Sequence, residues 1–329
     1  MSMQPHRWSP PKATPRASEK HSTPPMPPLR LLPLPGTGPE DVVIAADGRV
    51  LTGLTDGAVV AVDPTDGSVE QIAHTGGRPL GLHAEADGSL LICDAHRGLL
   101  RLDKPGGTLE TLVTEIDGKP LTFTSNVVAD GETIYFSESS RKWPLEEYMG
   151  DMLEHTESGR LFRRAADGSV ETLIDGLKFA NGIVLAPDRS CVLVAETGGY
   201  RVTRYWLTGE RAGTIDLFTE NLPAFPDNMG LGSDGLVWVT LVSPRNPLLD
   251  TLLPLPGAIR RVVWAIPEAL QPKPARTVWV QAFDFDGNLV HDLQREADDY
   301  AMVTGVAELD GTVYLGSLSE SAIAVTRIP

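Results

Sequence analysis

The sequence predicts an all-β fold: a six-bladed β-propeller with a central metal site and insertions forming a lid on one face. Three observations point there. Short apolar runs are split by Asp-Gly-type turns, the phrase returns at a regular spacing, and oxygen-bearing residues stand just ahead of it.

The first 30 residues precede the pattern. Arg7, Lys12, Arg16, Lys20 and Arg30 face Glu19 alone, among Pro, Ser and Thr with no apolar core. Such a segment reads as a disordered tail, residues 1–30. It has no apolar stretch of the secretory type. Residues 31–329 form the propeller.

The blades begin with DVVIAADGRVLTGLTDGAVVAVDPTDGSVEQIA, four apolar runs separated by turns. GLHAEADGSLLICDAHRGLLRLDKPGGTLETLV repeats the plan. Turn markers fall at Asp47, Asp87, Asp130, Asp188, Asp234 and Asp310. Three of the intervals are about 40–46 residues, one four-stranded blade each. The two longer ones hold insertions, residues 141–159 and 243–270. The second reads as helical around PLLDTLLP and IRRVVWAIPEAL. Six markers give six blades. One terminus is expected to complete a blade begun by the other, removing a free sheet edge. A two-sheet sandwich explains neither the period nor the repeated residues at strand starts.

Composition narrows function. The chain has 329 residues, 41% hydrophobic and 22% charged, with net charge −16. There is no basic stripe, so nucleic acid is not an expected partner. No apolar run is long enough for a spanning helix. Cys93 and Cys191 lie in strand-like runs and read as buried thiols, with a cytoplasmic location following from them.

In a propeller the first strand of each blade lines the channel, and its start lies at one mouth. Glu40, Asn181 and Asp227 precede their turn markers by the same count, as does Leu80. Asn126 precedes its marker by less, so blade three has a shorter first hairpin. Asn228 follows Asp227. Two carboxylates and three amides converging on one axis suit a hard cation such as Ca2+ or another divalent ion.

GPEDV, FANGIVLAPD and FPDNMGLGSDGLVWV resemble the channel motifs of the calcium-dependent six-bladed propellers: paraoxonases, gluconolactonase/regucalcin and strictosidine synthase-like proteins. The stretch from IYFSESSRKWPLEEYMGDMLEHTESGRLFRR to LPAFPDN is most similar to the adipocyte plasma-membrane-associated branch. The resemblance implies calcium at Glu40, Asn126, Asn181, Asp227 and Asn228. It also locates departures. Thr304 falls where strictosidine synthase proper carries its catalytic Glu, which disfavours Pictet–Spengler condensation. Leu80 replaces a paraoxonase His, and His83 reads as a strand residue. Asp41 matches a ligand of the paraoxonases' second calcium, but Val127 replaces another, so one metal is expected.

A cation so held would polarise an ester or lactone carbonyl. Asp227 is the candidate base; Glu138 and Glu196 are the others, although both read first as strand-end surface acids. The insertion at 243–270 could wall in an apolar substrate or touch a membrane surface. Trp143 and Tyr148 face the pocket, the core or a subunit contact. The substrate expected is an apolar ester or lactone. The alternatives are a metal-dependent isomerase or cyclase, and a non-catalytic propeller whose metal pins the channel.

Overall fold

The Asp-Gly phrases act as local punctuation. In four of the marker turns an Asp carboxylate accepts from the backbone N–H two residues on: Asp47 from Arg49, Asp87 from Ser89, Asp188 from Ser190 and Asp234 from Leu236. Gly48, Gly88 and Gly235 supply the positive φ the turns need, and Arg189 adopts it in the Asp188 turn. Alternating apolar runs on either side then pair as antiparallel strands.

The computed structural model describes residues 2–266 and 275–329. Six four-stranded antiparallel sheets stand around an axis as a β-propeller. Their first strands are Val42–Ile44, Pro79–Ala84, Thr124–Asp130, Ala180–Leu185, Ala224–Leu231 and Val303–Leu309. Each of these strands touches the first strands of the neighbouring blades, closing a ring. Apolar clusters fill the wedges between sheets, for example Val60 and Val62 of blade one against Tyr314 and Val325 of blade six.

The ring closes through its termini, as expected. Arg30–Pro33 is the outermost strand of blade six and pairs antiparallel with Ala322–Arg327. Leu32, opposite Ile323, is buried between blades.

The expectation of a disordered tail is corrected. Residues 2–29 lie against the propeller. Ser22 and Gln294 exchange two hydrogen bonds, N to carbonyl O at 3.0 Å and N to Oγ at 3.0 Å, along the outer strand of blade five, Leu289–Glu296. The tail covers an edge that would otherwise expose unpaired amides. Arg16 ion-pairs with Asp292 at 2.6 Å and lies over the Trp279 ring. Met3 and Met26 are buried. Low apolar content hid this, because the segment is ordered by the body's polar edge and two methionines rather than by a core of its own.

Both insertions contain helices. Residues 141–159 hold α1, Tyr148–Glu154, which ends at His155 in the left-handed region at φ 59°. Residues 243–266 hold α2, Pro247–Leu252, and α3, Gly257–Trp264. Asn246 caps α2 through its side chain, which accepts from the amides of Leu248 and Leu249, and Pro247 occupies the first turn. The end of the predicted helical stretch, residues 267–270, lies outside the described residues. The helices join Phe123, Phe179 and Phe225 in one apolar cluster at the end of the propeller where the first strands begin.

Leu32→Ala should cost about 2–5 kcal/mol, the range for emptying a buried Leu site. Urea unfolding checks this; an unchanged midpoint would mean that the ring does not depend on this closure.

Candidate functional site

The first hairpin of five blades carries a register slip at one level. It falls between Pro79 and Leu82, Thr124 and Val127, Ala180 and Ile183, Pro226 and Met229, and Val303 and Val306. Two residues on the first strand face one on the second, which is a β-bulge, a device that re-aims side chains. In blade one the ladder starts at Val42, so Glu40 and Asp41 take the same place.

Each bulge therefore has a first and a second residue. The first positions are Glu40, Leu80, Ser125, Asn181, Asp227 and Thr304. The second are Asp41, Gly81, Asn126, Gly182, Asn228 and Gly305. Asn126 thus corrects the sequence reading: it shares its level with Asn228, and Ser125 holds the place equivalent to Glu40. The second positions alternate polar residue and glycine around the ring. A Cβ added at Gly81 would lie 2.4 Å from the Asn126 Cα, at Gly182 2.5 Å from the Asn228 Cα, and at Gly305 2.7 Å from the Asp41 Cα. Three polar side chains fit because the alternate strands have none.

The predicted residues come together. Asn126 Nδ2 donates to Asp41 Oδ2 at 3.2 Å and to Asn228 Oδ1 at 3.1 Å. Asn228 Nδ2 donates to Glu40 Oε1 at 2.9 Å. Ser125 Oγ donates to Asn181 Oδ1 at 2.8 Å. Hydroxyls anchor the bulged backbone: Ser137 to the Asn181 carbonyl, Thr240 to that of Thr304 and Thr304 to that of Glu40 across blades, and Thr240 to that of Asn228 within blade five. All five predicted ligands are buried.

Asp41 is the residue the sequence reading undervalued. Its Oδ2 accepts from Leu82 N–H at 3.0 Å as well as from Asn126, placing it in the centre. Its signal was the phrase itself: Pro-Glu-Asp matches Pro-Asp-Asn at 226–228 residue for residue.

Three acids crowd this space. Burial pushes the Glu40 pKa up to about 7, against the opposing pull of Arg78 and the Asn228 hydrogen bond. Burial, and then the Glu40 charge, raise Asp227 and Asp41 well above the carboxylate range. Glu40 Oε2 and Asp227 Oδ1 are buried with no hydrogen-bond partner. Unpaired buried carboxylate oxygens cost free energy that a cation would recover. The donor set therefore fits a hard cation. Among the described residues no group of three or more His, Cys, Asp or Glu is arranged to hold a metal, so a cation here would draw on amide oxygens too, each with a second lone pair available.

The other acids are corrected. Glu138 and Glu196 are fully buried rather than at the surface. Glu138 accepts from Arg160 Nε at 2.8 Å and Thr122 N at 2.9 Å. Glu196 accepts two bonds from Arg201, at 2.7 and 2.9 Å, and one from the Lys178 amide. Both are committed to structural ion pairs. His83 stands in its strand opposite Leu91, half-buried.

Leu80 links the centre to the apolar cluster. It occupies a first position of the ring and packs in the same cluster as Phe123, Phe179, Tyr200 and Phe225. Trp143 is fully buried there, donating to Glu154 Oε2 at 2.6 Å, and Tyr148 packs against it. His155 is buried beside them. Trp8 stacks on its ring at 4.3 Å, and its Nε2 has no partner. Burial, and then the charges of Lys178 and Arg260, push its pKa down to about 3.

Fold and site together define a six-bladed propeller whose axis carries a carboxylate–amide centre. The strictosidine synthase profile matches residues 125–210, and the strictosidine synthase-like N-terminal profile matches residues 28–62. The chain is 34% identical to mouse (Mus musculus) adipocyte plasma membrane-associated protein over 308 residues, covering 85% of this chain and 73% of that one. It is 32% identical to strictosidine synthase-like 6 of Arabidopsis thaliana, covering 87% and 77%. The chain belongs to the strictosidine synthase-like family. Among solved structures it is similar to a gluconolactonase from Xanthomonas campestris, with TM-score 0.65, 17% identity, and 100% and 98% of the two chains covered. It is also similar to a calcium-binding regucalcin from Agrobacterium tumefaciens, with TM-score 0.62, 15% identity, and 90% and 92% covered. These likenesses show the fold.

The relatives correct one expectation. The mouse, rat and human relatives are named as plasma membrane-associated, against the cytoplasmic location drawn from the thiols. Cys93 and Cys191 are indeed buried, and for that reason they are shielded in any compartment and carry no information about one. Among the described residues no helix is long and apolar enough to cross a membrane.

Gly182→Val should force the Asn228 backbone outward, with an overpacking cost of about 1–3 kcal/mol. A melting temperature equal to wild type would refute the shared-space arrangement. His155 makes a pH prediction. Its unfolded form takes a proton near pH 6.5 while the folded form resists to about 3. Stability from this site is therefore complete above 6.5 and is lost as pH falls towards 3. Subtracting a His155→Phe melting profile from wild type should show that acid limb; a flat difference would remove His155 as its source.

Proposed function

We propose that the chain is a calcium-dependent hydrolase of lactones or aryl esters. The observation that carries this reading is the pair of unpartnered buried oxygens, Glu40 Oε2 and Asp227 Oδ1, inside a ring of amides. Glu40, Asn126, Asn181, Asp227 and Asn228 would hold the ion, and another divalent cation would suit the same oxygens. Bound there, calcium would supply Lewis acidity to the substrate carbonyl. The gluconolactonase and calcium-binding neighbours support the reading by analogy of fold.

Asp227 is the residue proposed to act on water. Its carboxylate takes a proton as the water oxygen adds to the carbonyl carbon and returns it to the departing oxygen as the ester C–O bond breaks, giving acid and alcohol. Glu138 and Glu196 cannot compete, since their oxygens are held by arginines. The apolar cluster beside Leu80 favours an apolar acyl or aryl group on the substrate. A cyclase of the condensation type is disfavoured, because Thr304 puts a hydroxyl, bonded to the Glu40 carbonyl at 2.6 Å, where that chemistry needs a carboxylate.

Chelation with EDTA should abolish hydrolysis of phenyl acetate and simple lactones, and calcium should restore it. Asp227→Asn should lower kcat by about a hundredfold or more, the usual contribution of a positioned base. Calcium should raise the melting temperature of wild type and raise it less in Glu40→Gln. Full activity after complete metal removal would overturn the reading.

A further inference from the structure

Every residue of the proposed centre is buried, Asp227 the least at 8% exposure, so the way in from solvent is narrow. Two surface hollows, of about 330 and 240 Å³, lie by blades two and three and include no residue of the centre. Next to the centre, and joined to it through Leu80, lies the apolar cluster at the strand-start end. Three sources build most of it: the strand starts at Leu80, Phe123, Phe179 and Phe225, the helices α1 to α3, and residues 2–12.

The last of these differs in how it is held. Residues 2–12 contain no helix or strand. Two apolar side chains reach into the cluster, Met3 buried and Trp8 half-buried. The rest of the attachment is polar and runs to the insertions. His6 N donates to the Glu154 carbonyl at 2.8 Å and Trp8 N to the Leu253 carbonyl at 3.3 Å. Arg260 donates to the His6 carbonyl at 2.7 Å, and Arg245 to that of Pro11 at 2.6 Å. Water can replace each of these bonds at small net cost. Helices α1 and α2, by contrast, bury apolar side chains of their own, Met152 and Leu153 in the first and Leu249 and Leu252 in the second.

We infer that residues 2–12 are a displaceable stopper, with Met3 and Trp8 occupying the chamber that receives the apolar part of the substrate. This rests on the proposed hydrolase reading for the identity of the ligand, an acyl or aryl group whose carbonyl reaches the axial centre past Leu80. The chamber walls carry the chemistry to hold such a group: Phe123 and Phe179 edge to face at 5.6 Å, and Tyr200 tilted on Phe225 at 4.9 Å. Trp8 lies on the His155 ring and 6.1 Å from that of Tyr200, as an aromatic ligand would. While the strap is closed, apparent affinity is reduced by the fraction of molecules that are open.

The test reads binding rather than turnover, so it stands even if no ester is hydrolysed. Dansyl-undecanoate is titrated into the calcium-loaded full chain and into the Met3→Ala/Trp8→Ala double variant. Removing the two apolar anchors should tighten binding about tenfold or more. A synthetic peptide of residues 2–12 should compete the probe off the variant. A folded variant with wild-type affinity would overturn the inference. Should the variant unfold, hydrogen exchange on wild type decides: probe binding should speed exchange at the His6 and Trp8 amides. Unchanged or slower exchange there, with the probe bound, would equally overturn it.

Discussion

Six strands cannot all present side chains to one axis at one level. This protein resolves the conflict with a two-residue bulge in the first hairpin and an alternation at its second residue. Asp41, Asn126 and Asn228 project, while Gly81, Gly182 and Gly305 give way. Everything at the centre depends on that spacing. The amide–carboxylate hydrogen bonds form only because the strands approach within contact of one another's backbones. The hydroxyls of Ser137, Thr240 and Thr304 then fix the bulged carbonyls from the neighbouring blade.

Convergence has an electrostatic consequence. Glu40, Asp41 and Asp227 share a buried space; after burial itself, the Glu40 charge raises both aspartates, and Asp41 raises Asp227 further. Arg78 gives Glu40 partial relief, but it does not bond the orphaned oxygens. Glu138 and Glu196, by contrast, are buried against the guanidinium groups of Arg160 and Arg201. That contrast sets Glu40 and Asp227 apart from the ion pairs within blades three and four, and the proposed cation centre rests on it.

The centre sits at the join between a polar axis and an apolar roof. Leu80 belongs to both, which is why its substitution for a polar residue in the repeat is informative. The roof comes from the parts of the chain that break the repeat: two insertions and the N-terminal segment. The ring of blades supplies a rigid frame, and the non-repeating segments supply the environment above it.

Turns, strands, blade number and the five oxygen-bearing residues were legible in the sequence because each is written locally. An Asp-Gly turn carries its own φ requirement and hydrogen bond, and a regular period multiplies that signal. The alternation of polar residue and glycine was also written, but it became visible only when register showed Ser125 and Asn126 as one bulge. Glu138 and Glu196 looked like exposed acids until the neighbouring strand placed an arginine beside each. The N-terminal segment looked structureless because it has no core of its own and borrows the edge of blade five and the roof. The sequence by itself determined which residues could serve the axis; only the tertiary structure decided which share a level, which are already paired and what covers them. Those relations join residues from different blades and from opposite ends of the chain, and no local pattern records such distances.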